Sequence, residues 1–346
     1  MSNTMINRVA RGDLATAWNN TDPYDTLCLG PGEFHTGEVL LNKPGKIFGA
    51  GIGMTKIIVD EGNGLVCSGA PDSDLQDGRL IMAYFDVVAG DQFEGRAKAL
   101  SGIRIGPVSA TRSPLQPTRV TLQDIRVHDF NSIERPLVPD MPALVGGAGI
   151  LITQGQSITI SQVYVRGCWR GLVEWSPGAV CGLWVGNSLF RSNKDDGVLL
   201  TNIRAGSFRD IVCENNDGNG FTARAPAGIP GGVIGLELEN AYLESNQRDH
   251  GEGDLTFDML GTAGENRNVR GRGVHLNSRQ GKRPMFAAKM RESQLDVFEG
   301  GSGLLPIQCE RNGYNDGTRH VIGLRLTTRD DGPAPILDAG TVWVRW

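Results

Sequence analysis

The sequence predicts an all-β chain: a single-stranded, right-handed parallel β-helix (a solenoid) with a short N-terminal capping helix. Three observations predict it. Alternating segments that start with glycine or a turn residue recur through the middle of the chain. Asparagine recurs at one turn position in successive repeats. Short apolar strands are separated throughout by breaks rich in Gly and Pro.

Composition bounds the answer first. The chain has 346 residues, of which 39% are hydrophobic and 48 are glycine, enough for a sizeable core and too apolar for a disordered chain. The formal net charge is -5 without a basic run, so nucleic acid is not an expected partner. No stretch approaches eighteen apolar residues, so no membrane span is expected. Met1 to Asn7 lacks the charged-then-apolar layout of a secretory leader. That leaves a chain kept inside a cell, one whose leader was removed, or one released by lysis as part of a phage particle; the location expected is the virion tail or the extracellular space after release. The six cysteines (Cys28, Cys67, Cys168, Cys181, Cys213 and Cys309) form no CxxC pair and read as buried thiols. No metal site or cofactor is expected.

The first element is a helix. Asp13 can cap Leu14–Trp18, where Leu14, Ala17 and Trp18 share one face, and Asp22-Pro23 stops it. This cap and its lead-in span 1–24, the solenoid 25–303, and C-terminal capping strands 304–346. The solenoid opens with the strand Asp25 to Leu29 and the turn Gly30-Pro31-Gly32-Glu33-Phe34. Val39-Leu40-Leu41, Gly49-Ala50-Gly51 and Thr55-Lys56-Ile57 follow.

This order of helix, Pro-Gly-x-aromatic turn, Gly-x-Gly segment and Thr-x-Ile strand resembles the opening coils of the pectate-lyase-like β-helix superfamily. The match covers roughly the first sixty residues and implies the fold, not a reaction.

The repeats come next. Glycine or aspartate leads segments at 149, 171, 197, 220 and 254, separated by 22, 26, 23 and 34 residues. A low-twenties period is one solenoid coil, and longer intervals carry inserted loops. The period predicts about a dozen coils, with loops at 135–149, 224–232 and 261–272. The leading glycines are expected to supply positive φ. Behind them Ile150 and Ile152, Val198 and Leu200, Phe221 and Ala223, and Leu255 and Phe257 point inward. Glu174 also falls at an inward position, so that strand either bulges or buries a partnered acid. Asn193, Asn216 and Asn246 sit at one turn position and are expected to stack as a ladder, which is also a trait of the resembled superfamily.

Two outward columns follow. Leu151, Val173, Leu199, Thr222 and Thr256 form an apolar stripe, expected to be covered by a second protomer of a homotrimer or by an inserted loop. Thr153, Trp175, Thr201, Arg224 and Asp258 form the other. In it Trp175, Arg224 and Asp258 are candidate substrate-binding residues, because rings stack on sugars and Arg and carboxylate anchor hydroxyls or uronate groups.

The candidate catalytic residues are Asp195, Asp196, Asp217, Asp249 and His250, in acid-rich turns of adjacent coils. Glycoside hydrolysis needs two carboxyls about 5 to 9.5 Å apart, a separation that adjacent coils offer. Asp-Gly and Asn-Asp also favour turns for local reasons alone. Asp195-Asp196 and His250-Gly251 are similar to the acidic pair and His-Gly motif of polygalacturonases. That family's Asn-Thr-Asp motif occurs here only in the N-terminal cap, at 20–22, and its Arg-Ile-Lys motif is absent, so its activity is not carried over. A pectate-type lyase would want clustered Asp for calcium and an Arg or Lys base, which Asp195, Asp196, Asp217 and Arg224 could supply. The expected function is a phage tailspike-like protein that binds, and in one reading cleaves, a bacterial surface polysaccharide. A cellular polysaccharide lyase, hydrolase or epimerase and a non-enzymatic virion subunit are the alternatives.

Overall fold

The computed structural model describes residues 6–8, 14–68, 78–90, 92–93, 96–97, 99–107, 117, 119–132, 146–176, 180–225, 232–251, 253–259, 266–279, 282, 285–288, 290–291, 293–299, 308–310 and 322–328. It is a right-handed parallel β-helix, divided into two compact units, Met1–Cys181 and Gly182–Trp346.

In the first unit the helix Leu14–Asn19 buries Leu14 and Trp18, the two apolar residues at i and i+4. Thr21 ends it by returning its hydroxyl to the Ala17 carbonyl at 2.9 Å. Lys43 then lies 5.3 Å over the Trp18 ring and donates to the freed Asn19 carbonyl. A strand that the sequence did not suggest, Ile6–Arg8, pairs in parallel with Thr26–Cys28.

Two parallel sheets enclose the core of this unit. One sheet includes Gly32–Thr36, Thr55–Val59, Leu80–Ala89, Val120–His128 and Gln156–Arg166. The other stacks Val39–Leu41, Gly62–Cys67, Ala99–Ile105, Ala148–Ile152 and Arg170–Glu174. Ile57, Val87, Val127 and Val165 stack inside the first, and Leu65, Ile103, Ile150 and Leu172 inside the second; all are fully buried. The long strands bend at Tyr84, Asp124 and Gln162, which share a register position and have φ of 67°, 49° and 54°. Asp is among the residues that tolerate this left-handed conformation; for Tyr84 it is an outlier that the stacked neighbours impose.

The second unit repeats the plan. Ile203–Arg209, Ile234–Glu239, Arg270–Asn277, Ser293–Glu299 and Ile322–Thr328 form one run of parallel strands. Val198–Leu200, Phe221–Ala225, Leu255–Met259, Met285–Ala288 and Gln308–Glu310 form the other. The inward residues expected from alternation are buried, and Phe208 meets Phe221 edge-on with centroids 5.1 Å apart. Gln308–Glu310 and Ile322–Thr328 extend the parallel ladders, so the pairing continues past residue 304. Strands also occupy 266–267 and 270–272, inside the segment expected to be an inserted loop. The remaining parts of the three expected loops lie largely outside the described residues.

Two expectations change, on the glycines and the cysteines, and two that held alternatives open, on the apolar stripe and Glu174, are narrowed. The leading glycines Gly149, Gly197 and Gly220 do not have positive φ; they are needed for close approach. A Cβ on Gly197 would sit 2.6 Å from the Gly220 carbonyl oxygen, and one on Gly220 would sit 2.6 Å from the Asn246 amide. The apolar stripe Leu151, Val173, Leu199, Thr222 and Thr256 is buried within a single chain, so it offers no surface to a second protomer. Glu174 is fully buried in an unbroken register, opposite Ile152, so the strand has no bulge there. Cys67, Cys168 and Cys213 are buried, but Cys28 is half-buried and Cys181 exposed. Burial pushes the Cys168 thiol up to about 12. A thiol reagent on the native protein is therefore expected to label Cys181 first and to leave Cys67, Cys168 and Cys213 unmodified until unfolding, as peptide mapping would show.

Candidate functional site

The asparagine stack is present and complete. Asn193, Asn216 and Asn246 have no exposed surface. Asn193 Nδ2 donates to Asn216 Oδ1 at 2.9 Å, and Asn216 Nδ2 donates to Asn246 Oδ1 at 2.7 Å. The same carbonyl oxygens accept from the backbone N–H of Asn193 and Asn216. Each rung follows a residue with positive φ (Ser192, Asn215 and Ser245), which turns the next amide inward. The last rung differs in chemistry: the Asn246 N–H donates to Asp254 Oδ1 at 3.0 Å. Ser278 donates to the other oxygen of Asp254.

A second ladder runs beside the first and takes in one of the expected catalytic acids. Asp196 Oδ1 accepts from both the N–H and the Nδ2 of Asn219, each at 2.9 Å. Asn219 Oδ1 accepts in turn from the Gly253 N–H and the Thr256 hydroxyl. Asp196 is 6% exposed, so its carboxylate holds a turn together instead of facing solvent.

The other expected catalytic residues do converge on this edge of the second unit. His250 Nε2 lies 3.0 Å from Asp195 Oδ1. Asp217 lies between two cations, with Lys194 Nζ at 3.6 Å and Arg248 Nε at 3.5 Å. The Asp217 carbonyl accepts from the N–H groups of Asp249 and His250, while the Asp249 side chain stays exposed. Gly218 is required here, because a Cβ would lie 2.7 Å from Asp195 Oδ1. The arrangement is a charged strip whose two central carboxylates, Asp195 and Asp217, are 15% and 9% exposed and already paired.

The expected sugar-stacking strip does not form as predicted. Trp175 is 7% exposed and presents no ring face, and its Nε1 has no hydrogen-bond partner among the described residues. Arg224 is half-buried and registers with Asp258, whose side chain lies outside the described residues.

A face that sequence reasoning missed lies on the first unit. Strand register aligns Glu33, Lys56, Asp86, Arg126 and Tyr164 in one column. It aligns His35, Ile58, Val88, His128 and Arg166 in a second column two residues along. Phe34, Ile57, Val87, Val127 and Val165 alternate with them and are buried, so both columns stand on the outward face. Lys56 pairs with Glu33 at 3.1 Å, and Arg126 pairs with the fully buried Asp86. The Gly53 N–H also donates to Asp86, at 3.2 Å. His128 Nδ1 lies 2.7 Å from Asp129, and the Arg166 guanidinium lies 5.8 Å from the Tyr164 ring centre. Tyr84, Ile52 and Met54 are exposed apolar side chains on the same unit. At about 4.8 Å per strand, five strands give a row of about 19 Å that alternates charge and ends in an aromatic ring.

Among the described residues no group of His, Cys, Asp or Glu is arranged to hold a metal ion, and no helix is long and apolar enough to cross a membrane. No family model and no curated protein matches the sequence. Solved structures do match. The A-module of mannuronan C-5 epimerase AlgE6 from Azotobacter vinelandii aligns over 91% of this chain and 89% of its own, at 15% identity and a TM-score of 0.54. Pectate lyase Pel9A aligns over 96% of this chain and 76% of its own, at 11% identity and a TM-score of 0.42. Tailspike protein 2 of bacteriophage CBA120 aligns over 87% of this chain and 42% of its own, at 12% identity and a TM-score of 0.37. At such identities the likeness is one of fold, and that fold is the right-handed parallel β-helix.

Proposed function

We propose that the chain is a phage tailspike-like protein that binds a bacterial surface polysaccharide along the outward face of its first unit. The supporting observation is the register that lines up Glu33, Lys56, Asp86, Arg126 and Tyr164. A hydroxyl-rich chain needs donors, acceptors and a ring to stack against, and this face offers them in Lys56 and Arg126, Glu33 and Tyr164, while Asp86 is buried beneath and holds Arg126. Lys56 and Tyr164 are half-buried, which leaves them accessible while their stems stay packed. The proposal includes a homotrimer on the virion tail, with protomer contacts outside the covered Leu151–Thr256 stripe.

The test uses immobilised lipopolysaccharide and capsular polysaccharide from a strain panel. The wild type is expected to bind one of them, and Lys56→Gln with Tyr164→Ala is expected to weaken that binding at least about tenfold with the fold intact. Undiminished binding by the double variant would remove the face from the proposal. Light scattering after size exclusion measures the trimer.

A second reading is favoured by the Asp195–His250 contact. A carboxyl and an imidazole in contact are a minimal acid–base pair, and Asp217 on the same strip supplies the second carboxyl that glycoside cleavage needs. On that reading the bound polysaccharide gains reducing ends, and Asp195→Asn or Asp217→Asn stops their release. A non-enzymatic virion subunit would release none.

A further inference from the structure

One charged side chain is enclosed in an apolar column of the first unit. Strand register places Leu40, Val66, Arg104, Leu151 and Val173 in line along the second sheet. Their neighbours Leu65, Ile103, Ile150 and Leu172 point into the core, so this column faces outward. Val66, Arg104, Leu151 and Val173 are nevertheless at most 1% exposed. Arginine is almost never enclosed to that degree without a paired charge.

Arg104 lacks such a pair. Among the described residues its guanidinium makes one hydrogen bond, from Nη2 to the Pro107 carbonyl at 2.6 Å. Its buried Nε has no hydrogen-bond partner among them. Glu38 contributes a negative charge, but its carboxylate accepts from Asn63 Nδ2 at 3.2 Å and forms no ion pair with Arg104 among the described residues. Burial outweighs Glu38 and lowers Arg104 to about 10, which leaves it charged at neutral pH. A second orphaned donor stands nearby. Thr153 shares the Pro107 carbonyl with Arg104, its hydroxyl donating at 2.9 Å. On the next strand the Trp175 N–H donates to the Ile152 carbonyl at 2.9 Å, which sets Trp175 beside Thr153. The Trp175 indole Nε1 is buried and has no acceptor among the described residues.

We propose that this enclosed face is a binding site for a single carboxylate group, seated on the Nε edge of Arg104, with the Trp175 indole N–H as a second donor to the same ligand. Two buried donors, one of them charged, call for oxygens that accept and for one negative charge. A carboxylate supplies both, and its two oxygens match the planar fork of a guanidinium. A phosphate dianion would bring a second, unbalanced charge among Val66, Leu151 and Val173. The ligand is either a free organic acid or an acid group projecting from a sugar. The column opens at Leu40, which is 45% exposed and two strands from Arg104, so the path from solvent is about 10 Å. This site is on the other sheet from Lys56 and Tyr164, and free acids probe it without polysaccharide. Its failure and that of the proposed binding face are therefore separate results.

Thermal unfolding and indole NMR of the full chain test this, with pyruvate, glucuronate, glucose and inorganic phosphate as probes. Pyruvate or glucuronate is expected to shift the Trp175 indole N–H resonance saturably, the signal being identified by its loss in Trp175→Phe. The same acid at saturation is expected to raise the unfolding midpoint by about 2 °C or more. Glucose is expected to do neither. A response to both acids assigns the site to the carboxylate alone, and a response to glucuronate only assigns it to a sugar acid. Arg104→Met removes an unpaired buried charge, so it is expected to unfold at or above the wild-type midpoint without ligand and to lose the response to either acid. Arg104→Lys keeps the charge without the fork and is expected to weaken binding about tenfold or more. No saturable response to either acid would overturn the proposal, as would a response to phosphate alone. So would acid binding that survives Arg104→Met undiminished. Should Arg104→Met not fold, Arg104→Lys decides, and wild-type affinity in that variant would overturn the proposal as well.

Discussion

Replacing Asn216 by alanine is expected to destabilise the second unit by about 3 to 5 kcal/mol. The magnitude comes from counting what is left behind. Asn216 Oδ1 accepts from the Asn193 N–H at 3.1 Å and from Asn193 Nδ2 at 2.9 Å. Its Nδ2 donates to Asn246 Oδ1 at 2.7 Å and to the Phe190 carbonyl at 3.2 Å. Alanine removes all four bonds in a region with no solvent; Asn246 Oδ1 keeps the Asn216 N–H, and each buried group left without a bond costs about 1 kcal/mol or more. Water has little room to repair the loss, because the neighbouring turns are closed by Gly197 and Gly220 at contact distance. Asn215 provides the comparison. It precedes the rung with φ of 56°, so Asn215→Gly keeps the backbone conformation and is expected to cost a few tenths of a kcal/mol. Denaturant unfolding of both variants, followed by tryptophan fluorescence and circular dichroism, measures the contrast. Equal midpoints would mean that the ladder contributes no more than an ordinary turn.

That ladder was legible in the sequence, for a physical reason. Its rungs belong to turns that hydrogen-bond directly to one another, so any residue at the position must satisfy the same donors and acceptors, and Asn recurs at 193, 216 and 246. The inward residues were legible for a similar reason, since alternation within a strand is local. Other features depend on what a strand meets across the coil. The leading glycines recur visibly, but the sequence does not distinguish a residue that must bend from one that must not carry a Cβ. Asp196 looks like half of an acidic pair until Asn219 is seen to occupy its carboxylate. Trp175 alternates outward and is nevertheless covered.

The charged columns of the first unit were missed because the connections between their strands vary in length. Residues 33, 56, 86, 126 and 164 are 23, 30, 40 and 38 apart, so no fixed period reveals that they stack. A local signal was present nonetheless. Lys56, Asp86, Arg126 and Tyr164 each precede a buried β-branched residue, namely Ile57, Val87, Val127 and Val165. Aligning the strands on that inward residue brings the charged column into register without the structure.

The second large effect is expected in that column. Replacing Arg126 by methionine should cost about 3 to 5 kcal/mol, because it leaves the Asp86 carboxylate buried without its counter-charge. Asp86 has no exposed surface, and its remaining partner is the Gly53 N–H at 3.2 Å; its Oδ1 has no hydrogen-bond partner among the described residues. The stem of methionine replaces most of the volume of arginine, so lost packing accounts for little of the cost. Replacing Asp86 by leucine alone leaves Arg126 with 27% of its side chain in solvent, where the charge can hydrate, so that variant should lose less. The double replacement, Asp86→Leu with Arg126→Met, is expected to recover much of what Arg126→Met loses, because an apolar pair of similar size carries no desolvation cost. A double-mutant cycle in denaturant gives the coupling directly, expected at 2 kcal/mol or more, on the order seen for buried contacts. Polysaccharide binding separates the two roles of the pair. If the face binds through its charges, the double variant regains stability and stays unable to bind. A variant that regains both would show that Asp86 and Arg126 hold the first unit together and leave the ligand to Lys56 and Tyr164.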